Sequence, residues 1–415
     1  MGGIWSKFKK MIPGEDEPEY EFPDTLEGFG YRFNKEGQLR KIDTDELFEF
    51  NVQEGNYSYN QKHYNALGDI LTNYIYNLME TEQNMKREYL PRDAGDDEPR
   101  SFVFVSDNIR TNADKLMILV HGSGAVRAGQ WARRLIINEG LDIGTQLPYI
   151  RRAHEHGYSV VVANANINTD ENPSAKKKKP IPIRGNSSPE EHMKTLWTDI
   201  IRNYPAKHIA IVAHSYGGVS LLELVKDHIK ELKERVFAIA LTDSVHSMRR
   251  QEASEDVIEF YKERACNWAS AYDPLDAVLQ TSEDEPLTVS AGTDQHDMTS
   301  PCSMNSIFTF FMERYERTLH PSEHKSGKED TSIISKRLSP DERSMVRGQG
   351  EGKDSEEESD TTATKSDDEA GPTKEDKNER LSQIPFVDDL EIEKRPQPQG
   401  RAEGENPNSP PKSEL

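Results

Sequence analysis

A serine hydroxyl becomes a useful nucleophile once an imidazole can take its proton and a carboxylate holds that imidazole in one tautomer. This chain carries the three residue types in the order serine, acid, histidine. Ser215 lies in Val-Ala-His-Ser-Tyr-Gly-Gly (212–218), Asp243 in Thr-Asp-Ser-Val-His (242–246) and His296 in Gly-Thr-Asp-Gln-His (292–296). The small-x-Ser-x-Gly spacing, with Ala213 in its first position, falls between an apolar run and an amphipathic one. That is the signature of a nucleophile elbow, a tight strand-to-helix corner that presents the serine hydroxyl and turns the next backbone N–H toward it. The chemistry such a set supports is acyl transfer on an ester, thioester or amide. Ser215 would attack the carbonyl, His296 would act as base and then as acid, and Asp243 would orient it. Candidate oxyanion donors are the backbone N–H groups of Tyr216 and of Gly122, Ser123 and Gly124 in the loop after Val120. Asp294 and His246 are rivals for the acid and base roles, because spacing alone does not rank positions at strand ends. His214 reads as a packed neighbour of the serine rather than as its base.

The elements that must position these residues are legible as apolar runs. Lys115–Val120, Tyr158–Ala163, His208–Ala213, Val236–Leu241 and Leu287–Ala291 read as strands with helical patterns between them, which calls for a parallel sheet. In such a sheet ligands sit beyond the carboxyl ends of the strands, where Ser123, Ser215, Asp243 and His296 all fall. Ser101–Ser106 alternates as a further strand, Ser306–Tyr315 is an apolar helix, and another helix starts near Ser188-Pro189. Upstream, Tyr31-Arg32-Phe33 and Leu39-Arg40-Lys41-Ile42 flank a glycine turn and predict a hairpin, and the spacing from Gln61 to Met85 predicts a helix. The fold class expected is therefore α/β: an α/β-hydrolase-like, mostly parallel sheet with helices on both faces. It carries a hairpin-plus-helix extension before it and an acidic, disordered tail after it. The divisions expected are a basic leader over 1–19, an extension packed on the core over 20–99, the core over 100–317 and the tail over 318–415. Arg133 and Arg134, on the helix following the glycine-rich loop, read as ordinary exposed helix residues rather than as part of a basic surface.

Composition sets limits on the rest. Only 34% of the 415 residues are hydrophobic, and the formal net charge is −22. From about Pro321 onward the chain is Ser, Glu, Asp, Lys, Gly and Pro, including Asp354-Ser355-Glu356-Glu357-Glu358-Ser359-Asp360. Such a segment buries too little apolar surface to offset its chain entropy. Ile384-Pro385-Phe386-Val387 through Leu390 interrupts it, reading as an isolated apolar cluster rather than as a linear docking segment. A chain this acidic repels naked nucleic acid as a whole, so direct nucleic-acid binding is not expected to dominate. Cys266 and Cys302 are the only cysteines, neither has a second ligand at metal spacing, and both read as free thiols in a reducing compartment. No metal or cofactor is expected.

Three short signals bear on location. Met1-Gly2-Gly3-Ile4-Trp5-Ser6, followed by Lys7, Lys9 and Lys10, matches N-myristoylation at Gly2 with a basic cluster as the second membrane signal. Lys176-Lys177-Lys178-Lys179-Pro180 resembles a nuclear localisation signal, or equally a run of solvated charge. Lys412-Ser413-Glu414-Leu415 resembles a luminal retrieval address, unread in a chain with no secretory leader. The location expected is nuclear, cytoplasmic or both, with membrane association through the acylated terminus, and not secreted.

Several longer stretches point further. Phe22-Pro23-Asp24-Thr25-Leu26-Glu27-Gly28-Phe29, Val120-His121-Gly122-Ser123-Gly124, Gly129-Gln130-Trp131-Ala132-Arg133-Arg134-Leu135-Ile136-Ile137-Asn138, Ala213-His214-Ser215-Tyr216-Gly217-Gly218, Thr242-Asp243-Ser244-Val245-His246 and Ser290-Ala291-Gly292-Thr293-Asp294 occur in this order. Together they closely resemble the Argonaute-binding-protein-two domain family over about residues 20–317, in its animal cotranscriptional-regulator branch. The resemblance implies an α/β-hydrolase-like domain. Its relatives act with Argonaute proteins in small-RNA (siRNA)-guided heterochromatin formation in fungi, and in chromatin-linked transcription and splicing control in animals. It also implies a non-enzymatic adaptor, whose partners would be Argonaute or chromatin and splicing proteins. The residues themselves keep a second reading open, a serine hydrolase of esterase or thioesterase type.

Overall fold

The computed structural model describes residues 20–170 and 180–320. The leader with Gly2, the Lys176–Lys179 run, and everything from residue 321, including the apolar cluster at 384–390 and the Lys412–Leu415 tetrapeptide, lie outside the described residues.

In chain order the first half comprises β1 (Tyr31–Phe33), β2 (Leu39–Lys41), α1 (Tyr57–Thr81), β3 (Met85–Leu90), β4 (Ser101–Ser106), β5 (Lys115–Val120), α2 (Arg133–Asn138), α3 (Leu141–Gly144), α4 (Leu147–Glu155) and β6 (Tyr158–Val162). The second half comprises α5 (Pro189–Thr195), β7 (His208–His214), α6 (Gly217–Arg235), β8 (Val236–Thr242), α7 (Glu255–Arg264), β9 (Ala265–Ala269), β10 (Leu287–Ser290) and α8 (Thr299–Leu319). β1 and β2 form the expected antiparallel hairpin. The remaining eight strands form one sheet in the order β10-β9-β8-β7-β5-β6-β4-β3. Only β4 runs against its neighbours; every pairing from β6 to β10 is parallel.

The central strands are continuous apolar runs because both faces of the sheet are covered. Side chains alternate along a strand, so each strand feeds two cores. Met117 and Leu119 of β5 join Tyr149 of α4, Phe308 and Phe311 of α8, and Leu71 and Ile75 of α1. Leu116, Ile118 and Val120 of the same strand join Met193 of α5, Leu221 of α6 and Phe260 of α7. Helix starts are chemically marked. Asn56 caps α1 by accepting from the Tyr59 N–H, and Ser188 caps α5 by accepting from Glu191, with Pro189 as the first helical residue.

Four elements differ from the expectation. β3 belongs to the main sheet, upstream of the expected core start at residue 100; its Met-Lys-Arg-Glu-Tyr-Leu sequence is that of a half-solvated edge strand, with little apolar signal. β9, Ala-Cys-Asn-Trp-Ala, has no β-branched residue and is drawn into the sheet by pairing on both sides. α8 begins at Thr299 rather than Ser306, because its first turns bury hydroxyls that find partners: Ser303 donates to the Thr299 carbonyl at 2.6 Å, and Ser300 shares a 2.7 Å bond with Thr242. α1 likewise runs from Tyr57 to Thr81, shifted toward its amino end relative to the apolar spacing.

Candidate active site

β5 and β7 are neighbours in space but β6 follows β5 on its other side, so the strand order reverses between them. In open sheets of this kind ligands sit at such a reversal, beyond the carboxyl ends of the strands, and the loops after β5 and β7 lie there. At the end of β7, Ser215 takes φ of 52°, a left-handed conformation that is costly for a residue with a side chain. The corner is held by backbone bonds: the Ser215 N–H donates to the Thr242 carbonyl at 3.0 Å, and the Gly218 N–H to the Ser215 carbonyl at 3.1 Å. The glycines that follow are required by close approach. A Cβ on Gly217 would stand 2.7 Å from the His121 carbonyl oxygen, and one on Gly218 would stand 1.9 Å from Ser244 Oγ. The elbow is thus packed directly on the loops after β5 and β8.

Asp243 meets His296; the His296 Nδ1 to Asp243 Oδ2 distance is 2.6 Å. Asp243 follows β8 with φ of 46°, donates its own N–H to the Trp268 carbonyl at 2.8 Å, and accepts at Oδ1 from the Ser270 N–H at 3.0 Å. Burial alone would raise the Asp243 carboxyl, but the bonds from His296 and Ser270 outweigh it and hold the group below the usual carboxylate range. With Nδ1 given to Asp243, the ring nitrogen suited to serve Ser215 is Nε2. The His296 ring lies 4.9 Å from that of His214, the residue preceding Ser215. The rival acid Asp294 is exposed. His246 is engaged at Nδ1 with Ser244 Oγ at 2.7 Å, and its Nε2 lies 3.2 Å from Glu285.

The glycine-rich loop lies against the serine. A Cβ on Gly122 would be 3.1 Å from Ser215 Cβ and 3.5 Å from its Oγ, and Gly124 has φ of 96°. Asn166 Nδ2 donates to the Gly122 and Val126 carbonyls at 3.0 and 3.1 Å, and Arg133 donates to the Ala125 carbonyl at 3.1 Å. Tyr216 donates its hydroxyl to Glu190 at 2.6 Å, which ties the elbow to α5.

Two arginines correct the sequence reading. Arg133 is only 5% exposed, and its guanidinium crosses α1 so closely that a Cβ on Gly68 would come within 2.4 Å of it. Arg134 pairs with Asp297, its Nε and Nη2 both donating to the one oxygen Oδ2 at 3.0 and 2.5 Å, with both side chains largely buried. Asp297 is the residue after His296, so this pair joins the helix after the glycine-rich loop to the turn that carries the imidazole. Arginines on a helix are exposed as a rule, and nothing in the local sequence marks Asp297, 163 positions away, as a partner that buries Arg134.

Three further histidines lie fully inside this region and are held neutral. Burial pushes His121 down to about 4, and His192 and His214 down to about 3. The His214 Nδ1 bonds Thr242, and His192 is bracketed by Asn186 and the Asn164 N–H. In the unfolded chain each takes a proton near pH 6.5, so below that value the unfolded state binds more protons and stability falls with pH. Each buried imidazole contributes up to about 1.4 kcal/mol per pH unit. Melting temperature is therefore expected to drop steadily between pH 6.5 and 4.5, and a flat profile in that window would contradict the neutral assignment. Among the described residues no group of three His, Cys, Asp or Glu side chains is arranged to hold a metal, and Cys266 and Cys302 are free thiols.

A family model described as the Arb2 domain matches residues 22–275, which include Ser215 and Asp243 but not His296. The mouse cotranscriptional regulator ARB2A is 44% identical over 347 residues, 73% of this chain and 83% of that protein. A cotranscriptional regulator ARB2A homolog of Dictyostelium discoideum is 32% identical over 321 residues, 71% of this chain and 80% of that one. Among solved structures, a histone deacetylase from Saccharomyces cerevisiae aligns over 60% of this chain and 98% of its own, at 15% identity and a TM-score of 0.40.

Proposed function

This chain belongs to the Arb2 domain family, and on that premise we propose that it acts in cotranscriptional regulation, as an interaction protein built on an α/β-hydrolase scaffold. The observation that carries this reading is the 44% identity to a protein named as a cotranscriptional regulator, over 83% of that protein. In its finer form the reading takes Argonaute or chromatin and splicing proteins as partners and the nucleus as the main site of action, with small-RNA-linked chromatin control as the process. A leader acylated at Gly2 would add a membrane-bound pool. An adaptor of this kind does not need the serine. Ser215→Ala is expected to leave co-purification of Argonaute and chromatin proteins unchanged in a parallel affinity capture, and loss of those partners with the fold preserved would count against it.

A second reading has its own support in the 2.6 Å bond between His296 and Asp243 and the left-handed Ser215. In it the site is a serine hydrolase. Ser215 Oγ attacks a substrate carbonyl carbon, its proton passes to His296 Nε2, and the same proton goes to the leaving group as the acyl-enzyme forms. Water then reverses the sequence and frees the acid. The oxyanion would be met by N–H groups of Tyr216 and of the Gly122–Gly124 loop. The test is labelling of the purified protein by a fluorescent fluorophosphonate, which requires no knowledge of the substrate. The two readings are separable, since one concerns partners and the other reactivity.

A further inference from the structure

At the opposite end of the sheet from Ser215, where β7 and β8 begin, a groove of about 320 Å³ opens between α6, α7 and the last turns of α8. Its walls carry six cationic side chains, Lys207, Lys233, Arg235, Arg264, Arg314 and Arg317, together with Glu234, Glu263 and His208, whose Nδ1 lies 2.8 Å from Asp114. β7 separates it from the elbow by about 20 Å at the usual strand rise, so it is not part of the candidate active site.

Two of these arginines are built in with their charge intact. Arg235 donates to the carbonyls of Ile201, Tyr204 and Ala206 at 2.8–3.0 Å. Arg264 donates to those of Lys233 and Val236 at 2.7 and 2.6 Å. Carbonyl acceptors satisfy the N–H groups without cancelling the positive charge. Lys233 pairs with Asp256, and Glu263 lies 3.7 Å from Arg264 with most of its side chain exposed. In a chain of net charge −22, a concave surface this cationic stands apart from the whole.

We propose that this groove is the docking site for the chain's own acidic segment, Asp354–Asp360. Charge complementarity is the first argument: that segment holds two Asp and three Glu in seven residues. Where the chain leaves the groove is the second. Arg314, Arg317 and Thr318 of the groove belong to the end of α8, which stops at Leu319, so the tail departs from the rim itself. Asp354 stands 34 positions beyond His320, and a connection of that length reaches up to about 110 Å when extended. Reach is therefore not limiting, and the tether makes the encounter intramolecular. A free polyanion such as RNA would have to approach against the net negative charge of the whole chain. The docked tail would mask this basic surface, and competition for the groove would couple the tail to whatever anionic partner displaces it.

The test uses the full-length protein and a zero-length carbodiimide, which joins lysine amines to carboxylates in direct contact, read by mass spectrometry. Links between Lys207 or Lys233 and Glu356–Glu358 are expected within single chains at 0.15 M salt. They are expected to be lost at 1 M salt, where the screening length falls to about 3 Å. Arg314→Glu with Arg317→Glu should lose them too. Adding Glu356→Lys, Glu357→Lys and Glu358→Lys to that double variant should restore linkage between the same segments with amine and carboxyl exchanged, which separates lost docking from lost folding. The proposal is overturned if the tail links only to lysines elsewhere, or only between differently isotope-labelled copies, which would assign the groove to a second molecule. It is also overturned if a single-stranded RNA oligonucleotide protects Lys207 and Lys233 from acetylation equally in the wild type and in a variant with the tail acids amidated, which would assign the groove to nucleic acid.

Discussion

Asp243→Asn is expected to slow fluorophosphonate labelling of Ser215 by about 10⁴-fold while leaving the fold in place. The carboxylate accepts from His296 Nδ1 at 2.6 Å, and in the hydrolase reading Nε2 is then the proton acceptor for the serine. An asparagine at that position keeps the size and can keep the Oδ1 bond from the Ser270 N–H. Its amide, however, would donate to Nδ1 and favour the tautomer with the proton on Nε2, where it can no longer receive the serine proton. Ser215→Ala abolishes labelling outright and serves as the zero. Labelling of Asp243→Asn at the wild-type rate would remove the acid role from Asp243. Absence of labelling in a folded wild type would set the hydrolase reading aside and leave the elbow as scaffold.

The second large effect concerns stability. Arg134→Met is expected to cost about 3–5 kcal/mol, because it leaves the Asp297 carboxylate buried without the cation that compensates it. For a domain of this size that corresponds to a melting temperature lower by about 10 °C. Adding Asp297→Leu should recover most of the loss, since an apolar pair of similar volume avoids the desolvation of both charges. The recovery distinguishes a buried pair from a surface one, where each single change would cost under about 1 kcal/mol. Because Asp297 follows His296, the single variant is also expected to label more slowly than its residual folded fraction accounts for. The double variant then asks whether the pair acts on the imidazole through position or only through global stability.

How far the sequence reached can be judged residue by residue. The strands of the centre, from Lys115 and His208 onward, were visible because burial on both faces leaves an unbroken apolar run. The elbow was visible because its glycines are forced by contacts that a single methyl would violate. β3 and β9 were not, since an edge strand is half solvated and Ala-Cys-Asn-Trp-Ala has no strand pattern of its own. The burial of Arg133 and Arg134 is not legible for the same kind of reason: residue type predicts exposure, while the guanidinium reaches into a neighbouring element far along the chain.

By itself, then, the sequence determined the α/β class, the family, the serine corner and the order in which acid and base follow, because each of those is written in local spacing and burial. Only the tertiary structure decided that Asp243 rather than Asp294 meets His296, although Asp294 is two residues away along the chain and Asp243 is fifty-three. It alone joined Arg134 to Asp297 across 163 positions, and gathered six cations from four separate segments at the far end of the sheet. Such choices depend on where strand ends and loop corners come to rest in three dimensions, and proximity along the chain carries no information about that.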